Sequence, residues 1–543
     1  MAEFNLVEGP WIPCISPDGN ISEYSIRDVL LQSHNLSEIC DDSPLVTVAI
    51  HRLLLAILYR ALEGPNNIQE WRDLYQKHSF AQSRINEYLY KWEQKFNLLD
   101  QSYPFYQMSQ LVTAKPISTN RLATEIASGN NATLFDHGGD DIIVEWTAPQ
   151  AARYLVTCQS FALGFGKSGN AKINGINETL PYSSDAIALR GMNIWIQGEN
   201  LFKTLMINLS PIKDISLPPW ELENPNKYRD KQENNNRIVF GSFGLVDQLT
   251  WQSRLMRLIP DNQTISKMYF TQGRSADKCA IDPMKVYRLS KDEGVSALAF
   301  SSNKSAWRDF HSILMIPESG SKEHRPECFN MAEEAISNDD VNDSKIFITH
   351  VAGLATAPNK AGKFIFWRHE RMPVPAALLN NTDLLERLGK CLAYAERAAG
   401  VLKYRIQRVI KLYLSPDCEL PGGHQPDPSD IAKLIESLDP RPAYWSRMED
   451  HFMTLIENLP NDWDTDTGDS KPDEKQMARL TWRQNIKHQA KNAFLESIAA
   501  LGTTTRAIQA IAHVPVDFSD LDLDRQPIEK IKRKEKENYN NGP

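Results

Sequence analysis

Apolar residues recur at three- and four-residue intervals in PLVTVAIHRLLLAILYRALEG (44–64), where Leu45, Val48, Ala49, Leu53 and Ile57 can share one helical face. The same reading predicts more helix over 67–99, ending before the loop-rich QSYPFYQ at 101–107. From about 130 to 370 the helical rhythm gives way to glycine-punctuated loops and short β-rich runs such as DIIVEW (141–146), IWIQG (194–198) and KIFIT (345–349). Neither a regular βαβ alternation nor an internal repeat emerges, which predicts a large irregular α+β domain with its function in loops. ENPNKYRDKQENNN (223–236), ESGSKEHRPE (318–327) and SNDDVNDS (337–344) interrupt it as polar insertions and predict mobile surface segments.

Near residue 375 the pattern changes again. Leu384, Leu388, Leu392, Ala395, Ala399, Leu402, Ile406 and Val409 keep helical spacing within 376–414. The segment SPDCELPGGHQPDPSD (415–430) then breaks the helix. Two shorter helices are predicted at 430–438 and 442–458, an acidic loop at 461–473, and a last long helix from about 474 to 512. Four helices joined by such loops pack most simply as an antiparallel bundle. The fold class is therefore α+β: a large irregular mixed domain over 1–374, then a C-terminal antiparallel four-helix bundle over 375–528. The tail 529–543, EKIKRKEKENYNNGP, predicts a disordered basic segment.

Length fits this division, since 543 residues exceed what one hydrophobic core usually serves. No apolar run approaches the roughly 20 residues of a membrane span, and MAEFNLVEGP lacks the basic-then-apolar order of a secretory signal. A cytoplasmic protein without membrane contact is expected. Seven scattered cysteines without a CxxC pair argue against a zinc ribbon and a disulfide framework. The net charge of −9 has the wrong sign for a protein that binds DNA tightly by itself. Nucleic-acid contact would need local basic patches or a larger assembly.

The most informative stretch is LGFGKSGNAKING (163–175), which holds four glycines and two lysines with almost nothing to bury. Glycine leaves no side chain between backbone N–H groups and a ligand; with Lys167 and Lys172 in the loop, a phosphate or nucleic-acid edge is the natural partner. Gly166-Lys167-Ser168 imitates the end of a Walker A loop, but the required earlier glycine is replaced by Phe161. A nucleotide-binding enzyme using this tripeptide remains the rival reading. Other chemistry is not supported: there is no GxSxG elbow, and the twelve histidines show no metal-ligand spacing. FDHGGDD (135–141) lacks the second cluster a metal site would need. No catalytic residue, metal or cofactor is expected.

NLVEGPWIPC (5–14), LTWQSRLMRL (249–258), QGR (272–274), DPM (282–284), AWRDF (306–310), GLAT (353–356) and RHERMPVP (368–375) accompany the glycine loop. In this order and spacing they resemble the CasA-type large subunits of the type I-E CRISPR Cascade surveillance complex, across nearly the whole chain. That resemblance implies a non-catalytic subunit whose partners are the other Cascade subunits, CRISPR RNA, double-stranded target DNA and a separate helicase-nuclease. It implies that the glycine loop (Gly164, Gly166, Lys167, Gly169) and a basic residue near QGRSADKC, Arg274 or else Lys278, contact the protospacer-adjacent motif (PAM) from the minor groove. It further implies a duplex wedge in APNKAGK at Asn359, Lys360, Ala361 and Lys363, where residue types differ from the family's. It implies a loop whose tip, Leu134, Phe135 and Asp136, docks at the guide-RNA end of the complex.

A cationic run is legible from spacing alone. Lys475, Arg479, Arg483, Lys487 and Lys491 lie four residues apart, forming a slowly winding helical stripe roughly 24 Å long. It reads as a DNA-backbone contact or as a solvated face, and Arg397, Lys403, Arg408 and Lys411 could extend it.

Overall fold

The helix Pro44–Leu62 opens on Pro44 and closes where Glu63 turns into the left-handed region. Rather than one apolar face, it buries almost every residue, His51 and Arg52 included. By length and composition it could cross a membrane, a property the sequence reading overlooked, but 94% of its apolar window is buried inside the protein. Arg52 is answered inside the core by Asp282, at 2.8 Å, and donates also to the Gln248 carbonyl. Burial pushes the Asp282 carboxyl up, but Arg52, Lys285 and the Met284 N–H outweigh it and hold it below its usual value.

The structure is a computed structural model that describes residues 3–123, 144–164, 171–178, 185–213, 216–222, 232–234, 237–239, 244–274, 281–289, 294–301, 304–338, 345–356, 364–462 and 477–522. The chain divides into two units, Met1–Met372 and Pro373–Pro543.

In the first unit, helices Gln82–Trp92 and Ala148–Phe161 pack on the central helix. The helical stretch expected over 67–99 holds two α-helices, Ile68–Tyr75 and Gln82–Trp92, separated where His78 takes a positive φ. The β structure among the described residues is a set of small sheets of two or three strands. One joins Arg254–Asp261, Thr264–Gln272 and Ile117–Ser118; another joins Phe364–Pro375, Ile346–Thr356 and Asn193–Gln197. IWIQG and KIFIT thus become strands; of DIIVEW, residues 141–143 lie outside the described residues, and Trp146 bridges Ile265. The insertion at 318–327 is not simply a mobile surface segment. It feeds the helix Glu327–Asn338, and its Arg325, 8% exposed, is held by Asn330 and Glu333.

Trp195 gathers a ring cluster in the last of these sheets. It stacks on His350 and His369, with His51 5.8 Å away. His350 Nδ1 lies 2.9 Å from His369 Nε2, and its Nε2 lies 3.0 Å from Gln197 Oε1. Burial lowers the His51 pKa to about 4. Burial, then Arg371 and the neighbouring histidines, lowers that of His350 to about 2.

In the second unit the described residues form five helices rather than four: Thr382–Leu414, Pro428–Leu438, Arg441–Asn458, Met477–Ala499 and Thr505–Ala512. The expected last helix is split because Gly502 takes φ +76° and Thr504 caps a new start at the Ala507 N–H. Arg447 pairs with Glu496 and His451 meets Gln489, so Arg441–Asn458 and Met477–Ala499 run antiparallel. Trp482, Phe452 and Phe494 fill the core between helices, and the Trp482 indole N–H donates to the Cys391 carbonyl. The six cysteines among the described residues are free thiols; the basic tail and the acidic loop beyond Asp462 lie outside those residues.

Candidate nucleic-acid interface

Helix Ala148–Phe161 starts on a capping box, with Thr147 and Gln150 satisfying each other's backbone N–H groups. It ends on fully buried Phe161 and delivers the chain to Leu163 and Gly164. The three residues at this exit are held from two sides. Arg254 donates from Nη2 to the Leu163 carbonyl at 2.6 Å and more weakly to that of Ala162 at 3.3 Å. The Gly164 N–H donates to Asp185 Oδ1 at 2.7 Å, and the Ala186 N–H donates to the Ala162 carbonyl at 2.9 Å.

Arg254 is itself fixed. The Gln159 side-chain amide, one turn before the exit, accepts the Arg254 N–H and donates to its carbonyl, both at 2.9 Å. Only 1% exposed, Arg254 has its pKa lowered to about 10, first by burial, with Cys158 and Asp185 opposing.

The other flank of the same segment carries Arg274. Gly273 is packed so closely that a Cβ would come within 2.5 Å of the Gln252 carbonyl oxygen. The Gly273 and Arg274 N–H groups donate to the Ser253 and Gln252 carbonyls, and the Trp251 indole N–H donates to the Arg274 carbonyl. Residues 251–254 therefore join the root of the glycine loop on one side to Arg274 on the other. Arg274 does not reach into solvent: it forks onto both Asp247 oxygens, at 2.5 and 3.0 Å, and lies 3.7 Å over the Trp251 ring. Such a fork-to-fork pair is strong and directional.

Beyond the exit, Gly166, Lys167 and Gly169 lie outside the described residues, as do Lys278, the wedge residues Asn359, Lys360, Ala361 and Lys363, and the docking tip Leu134, Phe135 and Asp136. Their flanks are described. The segment expected to act as a wedge lies in the chain between the strands Ile346–Thr356 and Phe364–Pro375. The segment that carries the expected docking tip is flanked by Asn120, whose carbonyl accepts the Ala123 N–H at 3.1 Å and whose side chain accepts the Val144 N–H at 3.0 Å. After the glycine loop the chain turns tightly through Asn174 and Gly175, both at positive φ, between Ala171–Ile173 and Ile176–Glu178.

On the helix Met477–Ala499, Trp482, Ile486, Ala490 and Phe494 are buried, which leaves Arg479, Arg483, Lys487 and Lys491 away from the core. Lys475 is outside the described residues. The Arg483 guanidinium lies 5.1 Å over the Tyr394 ring, and Lys491 helps Ser519 hold the Asp517 carboxyl below its usual value. The suggested extension fails at Arg408, which is 4% exposed and doubly bonded to Glu419. Among the described residues no group of three or more His, Cys, Asp and Glu is placed to hold a metal ion.

The sequence profile described as CRISPR-associated protein Cse1 matches residues 5–493. The chain belongs to the CRISPR-associated Cse1 family. The CRISPR-associated protein CasA/Cse1 of Thermus thermophilus is 29% identical to it over 530 residues, covering 96% of this chain and 97% of that protein. The crystal structure of Thermus thermophilus CasA superposes with a TM-score of 0.74 at 26% identity, over 94% of this chain and 97% of the other. Cse1 of Acidimicrobium ferrooxidans shares the fold, with a TM-score of 0.73 at 20% identity over 99% of both chains. The Cse1 fold also occurs in a chain of a CRISPR RNA-guided surveillance complex, with a TM-score of 0.72 at 18% identity over 94% and 98%.

Residues that sequence reading missed are the buried Gln159, Arg254, Asp247 and Asn120, and the half-buried Asp185. Arg254 stands in the quoted LTWQSRLMRL motif, and only the fold shows that its head turns inward.

Proposed function

We propose that this Cse1-family chain is the large, non-catalytic subunit of a type I-E Cascade complex, a cytoplasmic RNA-guided machine of antiviral defence. In this reading it recognises the PAM in double-stranded target DNA, helps open the duplex and recruits the helicase-nuclease. Guide pairing reads the sequence while protein reads a short duplex motif, a division of labour known for another RNA-guided effector. The observation that carries the reading is the convergence of the Gly164 exit and Arg274 on residues 251–254. A glycine-lined backbone beside an arginine suits a narrow groove, where the readable pattern is degenerate and several PAMs can be tolerated. Gly166, Lys167 and Gly169 would complete this surface, with Lys278 as the alternative basic residue. The segment holding Asn359, Lys360, Ala361 and Lys363 would act as the wedge, and Leu134, Phe135 and Asp136 would dock at the guide-RNA end. Copurification with CRISPR RNA and sibling subunits, followed by electrophoretic mobility of a PAM-bearing duplex, tests the assignment; a chain that enters no such complex contradicts it.

The rival use of Gly166-Lys167-Ser168 as a nucleotide loop loses support. A P-loop follows a strand and opens a helix, whereas here the loop follows the helix Ala148–Phe161 and precedes the strand Ala171–Ile173.

The cationic stripe would hold DNA backbone. Replacing Arg479, Arg483 and Lys487 together by Gln is expected to flatten the salt dependence of complex–DNA binding by about two to three units. The loss should be nearly equal for targets with good and poor PAMs, because phosphates carry no sequence information. Titrations across a salt series check this, and an unchanged slope would return the stripe to a solvated face.

A further inference from the structure

We propose that Arg254 and Asp185 are positioning residues for PAM selectivity, acting as a two-sided clamp on the root of the glycine loop; the inference rests on that loop reading the PAM. Arg254 is 1% exposed and so does not touch DNA itself. Its two Nη groups donate to backbone: Nη1 to the Ser253 carbonyl at 2.6 Å, Nη2 to the Leu163 and Ala162 carbonyls. Asp185 takes the N–H of Gly164 from the other side with Oδ1 and pairs through Oδ2 with Arg190, which is 77% exposed. Consecutive peptide groups at 162–164 are thereby fixed in direction before the chain enters its glycines. Glycine backbone has little direction of its own, so the peptides at its root carry the direction. The far end is tied by the pairing of Ala171–Ile173 with Leu111–Thr113.

The clamp also couples the two proposed reading elements. Gln159 holds the Arg254 backbone, while Ser253 and Gln252 hold Gly273 and Arg274. A shift of Arg254 moves the loop root relative to Arg274, and discrimination between PAMs depends on their registration. An arginine is needed because its planar fork spans more than one carbonyl, whereas lysine offers a point charge on a mobile stem.

The test uses the reconstituted complex with guide RNA, and duplexes identical except for a good or a poor PAM. Arg254→Lys and Asp185→Ala are each expected to reduce the good-to-poor affinity ratio about tenfold, as fits loss of a hydrogen bond involving a charged group. The salt slope should stay unchanged, since no phosphate contact is removed. Asp185→Asn, which keeps an acceptor for the Gly164 N–H, should retain the ratio. Should Arg254→Lys fail to fold, Asp185→Ala carries the test, because its side chain lies at the edge of the fold, 18% exposed. An unchanged ratio in Asp185→Ala, with the ratio lowered in Gly166→Asp, would overturn the clamp and leave PAM reading by the loop intact. A slope smaller by about one unit in Arg254→Gln, which removes the charge, would make Arg254 a phosphate contact and overturn it as well. An unchanged ratio in Gly166→Asp would remove the underlying reading itself.

Discussion

Complexes carrying Gly164→Asp or Gly166→Asp are expected to bind a PAM-bearing duplex about ten- to a hundredfold more weakly, while each variant subunit melts close to the parent. That range corresponds to roughly 1–3 kcal/mol, the scale of one wrong contact at a specific protein–DNA interface. Two effects add. In the proposed reading, a side chain at either position would stand where backbone approaches the groove, and a carboxylate there would face phosphates. Gly166→Asp is the cleaner variant. Gly164 already donates its N–H to Asp185, so an aspartate at 164 also sets two like charges beside each other. Mobility shift with the reconstituted complex checks both, and unchanged affinity in both would remove the loop from the PAM.

The first unit is expected to lose stability as the solution is acidified from pH 6.5 toward 4, and His51→Leu should remove about one proton's share of that loss. His51 is fully buried, and burial lowers its pKa from 6.5 to about 4. Below 6.5 the unfolded chain binds a proton that the fold refuses, so stability falls with falling pH until the folded pKa is reached. At pH 5 the share of His51 is about 2 kcal/mol, and through pH 4 about 3 kcal/mol. His350 and His369, lowered as well, steepen the profile in the same direction. Hydrogen-exchange protection of the helix Pro44–Leu62 at pH 7 and pH 5 reads the effect locally. Equal pH dependence in the parent and His51→Leu would show that His51 does not titrate with folding.

How far the sequence carried differs by element, for physical reasons. Long periodic segments were legible: the helices beginning at Pro44 and Thr382 follow apolar spacing closely. A hydrophobic pattern cannot distinguish a helix with one buried face from a helix enclosed by neighbours, which is why His51 and Arg52 were not foreseen in the core. The break at 500–504 was missed because Gly502 and Thr504 act through a positive φ and a cap, both local signals inside a continuing apolar rhythm. At the site, the glycine loop stood out by residue type, and Arg274 through the family resemblance. Their relation did not, since it runs through Gln159, Gln252 and Arg254, whose role is to satisfy backbone groups from distant parts of the chain. Arg274 shows the converse: the resemblance implied a DNA contact, and the fold supplies Asp247 and Trp251 to hold the side chain.

The most direct test of the central claim compares Cascade assembled with this subunit against the same assembly lacking it, on duplexes that differ only in the PAM. The account predicts that the full complex discriminates between good and poor PAMs, and that discrimination disappears when this chain is omitted and returns when it is added back. Equal discrimination with and without the chain would contradict the account, because another subunit would then be reading the motif.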